Sequence, residues 1–231
     1  VDWSVYGGLT CLAASAYLPP ARLPRCVRTA RLCDVGKGDV GGGTAACVAD
    51  AFRGLHEKPC VLEQCVPLAL EISGRVARPG TGRIAVWPIA ENRHRDGILD
   101  VSIVPARIPE ALAAEARALG LRVAERLDYQ GVLCVEMFVT TDGRLLINEI
   151  APRPHNSGHW SIDGAFTSQF EQQCRVLAGL PLGDTTQHTQ AVMINLLGDI
   201  WFDAPAAKAP REPDWAGVLS APRTKLHLYG K

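Results

Sequence analysis

The sequence predicts an α+β protein, and three patterns carry that expectation. Short apolar runs between residues 60 and 89 are joined by glycine-rich turns. Two further apolar runs flank the turn residues Thr141, Asp142 and Gly143. Two segments, one opening at Pro109 and one near Ala165, repeat apolar residues at three- and four-residue steps.

Residues 1–58 carry Gly7-Gly8, Pro19-Pro20, Gly36-Lys37-Gly38 and Gly41-Gly42-Gly43 but no legible strand or helix period. From Pro59 the pattern sharpens. Residues 60–66 and 68–77 read as strands, Arg78-Pro79-Gly80-Thr81-Gly82 as a turn, and 83–89 as the returning strand. Pro109 suits the first turn of a helix whose apolar face is Leu112, Ala116, Leu119, Val123 and Leu127. Strands over 131–140 and 144–151 follow. A second helix is expected over 165–178, burying Phe166, Phe170, Cys174 and Leu177 and stopping at Gly179. Residues 190–197 read as a last strand, and 203–222, rich in Pro and Ala, as loosely structured. The chain thus divides into 1–58, 59–185 and 186–231.

Composition narrows the function. The 231 residues hold 24 Lys plus Arg against 24 Asp plus Glu, with no basic stripe to follow a phosphate backbone. A nucleic-acid partner is therefore not expected. No apolar run approaches the ~18 residues of a membrane span, so no membrane partner is expected either. The first residue is Val, which suggests a partial chain. Eight cysteines occur without a C-x-x-C pair, which reads as free thiols in a reduced cytoplasm rather than as a zinc or disulfide framework.

The 131–151 hairpin is the most informative local feature. If Thr141 and Arg144 flank a two-residue turn, cross-strand partners have numbers that sum to 285, and Glu136 faces Glu149. Two carboxylates ~5 Å apart at an effective dielectric of ~20 repel by roughly 3 kcal/mol. A compensating cation would relieve this, and oxygen ligands of this kind suit Mg²⁺. A one-residue change of register, or an arginine partner for either glutamate, would remove the need.

The segment after that hairpin, Glu149 to Trp160, is dense in polar groups just past an apolar strand, where ligand sites of open sheets gather. Arg153 carries a planar fork suited to carboxylate, bicarbonate or phosphate. It could equally do no more than order its loop. His155 and His159 have H-x-x-x-H spacing, but Pro152, Pro154 and Gly158 exclude a helix, so zinc is not expected. Lys37 lies between two glycines without the remaining Walker residues. Glu63, Gln64, Cys65 and Val66 close a strand whose backbone could read adenine, and Glu71 could accept ribose hydroxyls. An ordinary strand with solvated acids explains them as well.

Taken together, several segments resemble the N5-carboxyaminoimidazole ribonucleotide synthetase family, the ATP-dependent carboxylases of purine synthesis. The resemblance is carried by VLEQCV at 61–66, AVWPIAEN at 85–92, HRDGIL at 94–99, SIVPAR at 102–107, INEIAPRPHNSGHW at 147–160, SQFE at 168–171 and VMINLLG at 192–198. It spans about residues 57–200. It implies an ATP-grasp fold, in which ATP lies between two α+β lobes. It also implies a ligase reaction, in which 5-aminoimidazole ribonucleotide, bicarbonate and ATP give the N5-carboxylated ribonucleotide, ADP and phosphate through carboxyphosphate. By the resemblance Glu136 and Glu149 hold Mg²⁺. Lys37, Glu63, Gln64, Cys65, Val66, Glu71, His94, Asn148 and Glu149 bind ATP. Arg153 is catalytic and holds bicarbonate, and with His155, Asn156, Ser157, Gly158, His159 and Trp160 it faces the ribonucleotide. A cytoplasmic homodimer is expected of the family.

The sequence also departs from that pattern. The family's N-terminal Rossmann-like domain has no counterpart, residues 1–58 read as a degenerate first lobe, and the C-terminal domain reads as truncated. These departures imply a fragment, and the alternative expectation is a non-catalytic remnant that binds ATP weakly or not at all.

Overall fold

Two antiparallel sheets organise the chain. The computed structural model describes residues 66–95, 97–202 and 209–229, together with Arg53 and the strand backbones at 16–18, 30–34, 39–42 and 60–64. The first sheet holds β1 (Ala16–Leu18), β2 (Ala30–Asp34), β3 (Asp39–Gly42) and β4 (Cys60–Gln64), in the order β1-β4-β2-β3. The second holds β5 (Leu68–Arg78), β6 (Ala85–Val86), β7 (Ala90–Arg95), β8 (Ile98–Val104), β9 (Gly131–Thr140), β10 (Leu145–Ala151) and β11 (Ala191–Ile194). Its order is β10-β9-β5-β7-β8-β11, with β6 paired to β5. With the helices below, this is the expected α+β architecture. The sheets divide between Gln64 and Leu68, because β4 pairs with β1 and β2.

Helix α1 (Glu110–Arg126) covers one face of the large sheet. It buries Ala113, Ala116, Leu119, Gly120, Val123 and Ala124. These meet Ile72 and Val76 of β5 and Leu133, Val135, Met137 and Val139 of β9. The strand residues alternate by two, so the intervening ones turn to the opposite face. Leu127, expected on the helix face, is the C-cap residue and lies exposed.

On the other side of the sheet, helices α2 (Ser161–Gly164) and α3 (Gln169–Leu177) follow the 152–160 loop. A second cluster joins Trp87, Ala77, Val132, Trp160 and Ala165. Helix α3 corrects the sequence expectation. It starts at Gln169, capped by Ser168, whose hydroxyl accepts from Glu171 N at 3.1 Å. Its buried residues are Gln169 and Gln172, while Phe166 is 64% and Leu177 is 75% exposed. The reason is backbone satisfaction. Gln172 bonds both Gly183 N and Gly183 O, and Gln173 Oε1 accepts from Val132 N.

Three smaller differences concern strands and loops. Ala90–Arg95 and Ile98–Val104 form the pair β7–β8, which the apolar pattern did not announce because both strands carry charged and amide residues. The strand expected over 83–89 is ordered as β only at Ala85–Val86. Within the expected loose segment, Trp215–Leu219 forms a one-turn helix, α4, capped by Asp214. None of the helices among the described residues is long and apolar enough to cross a membrane.

Candidate functional site

The face of the sheet turned away from α1 is polar where β5, β9 and β10 run together. In β5 the residues alternating with the core are Glu71, Ser73 and Arg75, and in β9 they are Cys134, Glu136 and Phe138. The ladder sets Ser73 opposite Glu136 and Arg75 opposite Cys134.

Glu149 pairs with Glu136, as the sequence predicts, but by a different route. The turn contains three residues rather than two. Thr140 and Arg144 flank it, with Thr140 N donating to Arg144 O at 2.9 Å. Gly143 takes a φ of 82°, which a side chain would oppose. Residues 145–147 are therefore one place out of the expected register. A bulge between Ile147 and Glu149 restores it, so Asn148 and Glu149 together stand opposite Glu136.

Glu136 is mostly buried, and its Oε1 has no hydrogen-bond partner among the described residues. Burial pushes its carboxyl above the usual range. Glu149 and Glu71 push the same way, while His94 and Arg75 oppose them. Glu71 pairs with His94 Nδ1 across β5 and β7. An orphaned carboxylate oxygen beside a second, exposed glutamate fits one hard cation that takes its remaining ligands from elsewhere. No three His, Cys, Asp or Glu side chains among the described residues converge as a metal cage, so such an ion would need phosphate or water oxygens.

The loop after β10 brings the other candidates over this face. Tyr129 OH donates to Pro152 O at 2.8 Å and pins its start. Arg153 is exposed, with NH1 donating to Pro154 O at 3.0 Å. His155 is held by its backbone, whose N–H donates to Gln169 Oε1 at 3.0 Å and whose C=O accepts from Gln169 Nε2 at 2.6 Å. Its Nδ1 lies 2.9 Å from Ser157 Oγ, and its Nε2 faces Glu136 Oε1 at 3.7 Å. Burial, then Arg75, Arg153, His94 and His159, hold this ring down at about 4, so it is neutral at pH 7.

Residues 156–158 form a 3₁₀ turn. Gly158 has no room for a side chain, because a Cβ there would stand 2.2 Å from Gln169 Oε1 and 2.8 Å from Arg75 Cδ. His159 is half-buried, edge-on to Phe170 and Tyr229. Asn156 is half-buried, and its backbone oxygen lies 3.0 Å from His159 Nδ1. Ser157, Gly158 and Trp160 are buried and support the loop from behind. Trp160 stacks beneath the Arg75 guanidinium, 5.7 Å from its ring centre.

The structure therefore brings Glu71, His94, Glu136, Asn148, Glu149, His155 and the 152–160 loop to one region. Val66 lies half-buried just before β5, and Glu63 and Gln64 end β4 in the other sheet. Lys37 and Cys65 lie outside the described residues. Sequence reasoning missed Ser73, Arg75, Asn92 and Ser102. A signal was present in β5, where Glu71, Ser73 and Arg75 recur at every second position of an otherwise apolar strand.

The sequence that builds this hairpin and loop lies largely within the match to a protein-family model. Residues 14–170 match the ATP-grasp domain. This chain belongs to the ATP-grasp family. Residues 191–231 match the phosphoribosylaminoimidazole carboxylase C-terminal domain. Among curated relatives, the N5-carboxyaminoimidazole ribonucleotide synthase of Brucella melitensis is 45% identical over 188 residues, covering 81% of this ATP-grasp chain and 48% of the relative. The crystal structure of the Thermus thermophilus synthetase superposes with a TM-score of 0.77 at 42% identity, over 88% of this chain and 53% of that one. The Aspergillus clavatus N5-carboxyaminoimidazole synthase, solved with ADP and 5-aminoimidazole ribonucleotide, gives 0.70 at 27% identity, over 76% and 46%. The chain spans about half the length of the curated relatives it matches.

Proposed function

We propose that this chain carries the nucleotide and carboxylation site of an enzyme that joins bicarbonate to 5-aminoimidazole ribonucleotide with hydrolysis of ATP. The observation that carries the reading is the Glu136–Glu149 pair facing the Arg153–His155 loop across one sheet face. In this reading the adenine lies against Glu63 to Val66, the ribose hydroxyls reach Glu71, and Lys37 meets phosphate. His94 and Asn148 border the nucleotide. Glu136 and Glu149 hold Mg²⁺, which when bound screens the charge of the ATP phosphates. The orphaned Glu136 Oε1 supports that assignment.

The chemistry assigned to the chain's residues is positioning and charge neutralisation. A bicarbonate oxygen attacks the γ-phosphorus of ATP, releasing ADP and forming carboxyphosphate. The exocyclic amine of the ribonucleotide then forms its C–N bond to the carboxyl carbon, while phosphate leaves and the amine gives up a proton. Arg153, exposed at the loop's edge, presents a planar fork to the bicarbonate-derived anion. The 155–159 loop holds the ribonucleotide. A charged intermediate needs such a donor-rich site. The activity belongs to the cytoplasm, and the full-length enzyme to a homodimer.

The test is phosphate release from ATP by this chain. It should require bicarbonate and 5-aminoimidazole ribonucleotide together and fall by two to three orders of magnitude in Arg153→Ala, as loss of one transition-state donor does. Phosphate release indifferent to the ribonucleotide would sink the reading.

A further inference from the structure

Arg75 lies beneath the site, fully buried, with no carboxylate among the described residues bonded to it. Its NH1 donates to Ser157 O at 3.0 Å, Ser157 Oγ at 3.0 Å and Ser73 Oγ at 3.3 Å, and its NH2 to Pro88 O at 3.4 Å. A guanidinium only donates, and the two N–H bonds of NH1 are shared among these three oxygens, the two on Ser157 being the nearer. A chain of short contacts then runs across the sheet. Ser102 Oγ donates to Asn92 Oδ1 at 2.9 Å, Asn92 Nδ2 donates to Ser73 Oγ at 2.9 Å, Ser73 Oγ lies 2.9 Å from Ser157 Oγ, and Ser157 Oγ lies 2.9 Å from His155 Nδ1.

The direction of that chain is set at its His155 end. Ser157 N–H donates to His155 Nδ1 at 3.4 Å, so Nδ1 accepts and the Ser157 hydroxyl proton, 2.9 Å away, points to it as well. Ser157 Oγ then accepts from Ser73 Oγ and from Arg75, and Ser73 Oγ accepts from Asn92 Nδ2. The other polar neighbour of Ser157 is the Cys134 thiol, a weak partner. Nδ1 is therefore a bare acceptor, and the ring carries its only proton on Nε2, on the side of Glu136 Oε1.

We infer that Arg75 and Asn92 are positioning residues that lock His155 as the Nε2–H tautomer, so that His155 serves this site as a hydrogen-bond donor to an anionic oxygen and not as a base. The donor role rests on the function proposed above, while the tautomer rests on geometry alone. The consequence is chemical. No lone pair of His155 faces the site, so the proton lost by the substrate amine goes to an oxygen anion, of which departing phosphate is the nearest at hand.

Ring ¹⁵N–¹H correlation spectra of the whole chain, labelled at histidine and assigned with His155→Asn, read the tautomer directly. The parent is expected to show one His155 form, pyridine-like at Nδ1 and pyrrole-like at Nε2. Ser157→Ala removes the hydroxyl donor and leaves Nδ1 only the longer contact from the backbone N–H of residue 157, and Arg75→Met frees the hydroxyls to reverse. Each should populate both tautomers. A proton on Nδ1 in the parent, or an unaltered single tautomer in both variants, overturns the inference. The spectra need neither ATP nor ribonucleotide. A chain that keeps the Nε2–H form yet turns over nothing therefore counts against the proposed reaction alone.

Discussion

At the scale of single residues, Glu136 is the most exacting case, because it is costly where it stands. Burial and two neighbouring acids raise its pKa, so the folded chain binds that proton more tightly than the unfolded chain does. Its contribution to stability is therefore full in acid and is lost as the pH climbs from the ordinary carboxyl value of about 4.3 through the raised folded value. Glu136→Gln removes the loss. Without Mg²⁺ at pH 7.5 the variant should be more stable than the parent by about 1–2 kcal/mol in urea unfolding, and the gap should close near pH 4. A parent more stable than the variant under those conditions would mean that Glu136 already has a partner. Gly158 makes the opposite kind of demand. A methyl group there must displace the amide of Gln169 or the stem of Arg75, both buried. Gly158→Ala should cost about 1–3 kcal/mol, read from the urea midpoint. An unchanged midpoint would mean that the loop is not clamped between them.

At the scale of elements, helix α3 separates what the sequence makes legible from what it hides. Its start was readable within a few residues, and its face was not. Periodicity ranks Phe166 and Leu177 as core and the glutamines as surface, yet the packed face is made of amides because it meets loop backbone rather than apolar side chains. Gln172→Leu, apolar and of similar size, leaves Gly183 N–H and C=O without partners and should cost about 2–3 kcal/mol. Leu177→Gln should change stability by less than about 0.5 kcal/mol. Paired urea melts that reverse this order would restore the periodic reading. The 131–151 hairpin teaches the same lesson differently. The Glu136–Glu149 pairing was legible from the Asp-Gly turn, but the three-residue turn and the compensating bulge at Asn148 were not, since neither leaves an apolar signature. Strands β7 and β8 stayed hidden for a related reason. Asn92 and Ser102 occupy inward positions and are satisfied by one another and by Ser73, which hydropathy cannot report.

At the scale of the whole molecule, the proposed nucleotide contacts are divided between two sheets. Glu63 and Gln64 end β4 of the four-stranded sheet, whereas Glu71, Glu136, Asn148 and Glu149 belong to the seven-stranded sheet or its hairpin. A ligand that needs both sets binds only where both are folded. Its binding energy therefore appears as stability of the whole chain rather than of either sheet. At a free Mg-ATP concentration a hundred times its Kd, the gain is about 2.7 kcal/mol. For a chain of this size that raises the melting temperature by about 5–10 °C. Two comparisons give the shift its meaning. ATP with a chelator in place of Mg²⁺ should lose most of it, because Glu136 and Glu149 then face the phosphates with no cation between them. Glu149→Gln should lose much of it without lowering the ligand-free melt, because that carboxylate is exposed and its charge only adds to the cost of burying Glu136. A shift that persists in Glu149→Gln would move the nucleotide away from the hairpin. A cooperative melt with no shift at all would mean that the seven-stranded sheet folds without presenting a nucleotide site.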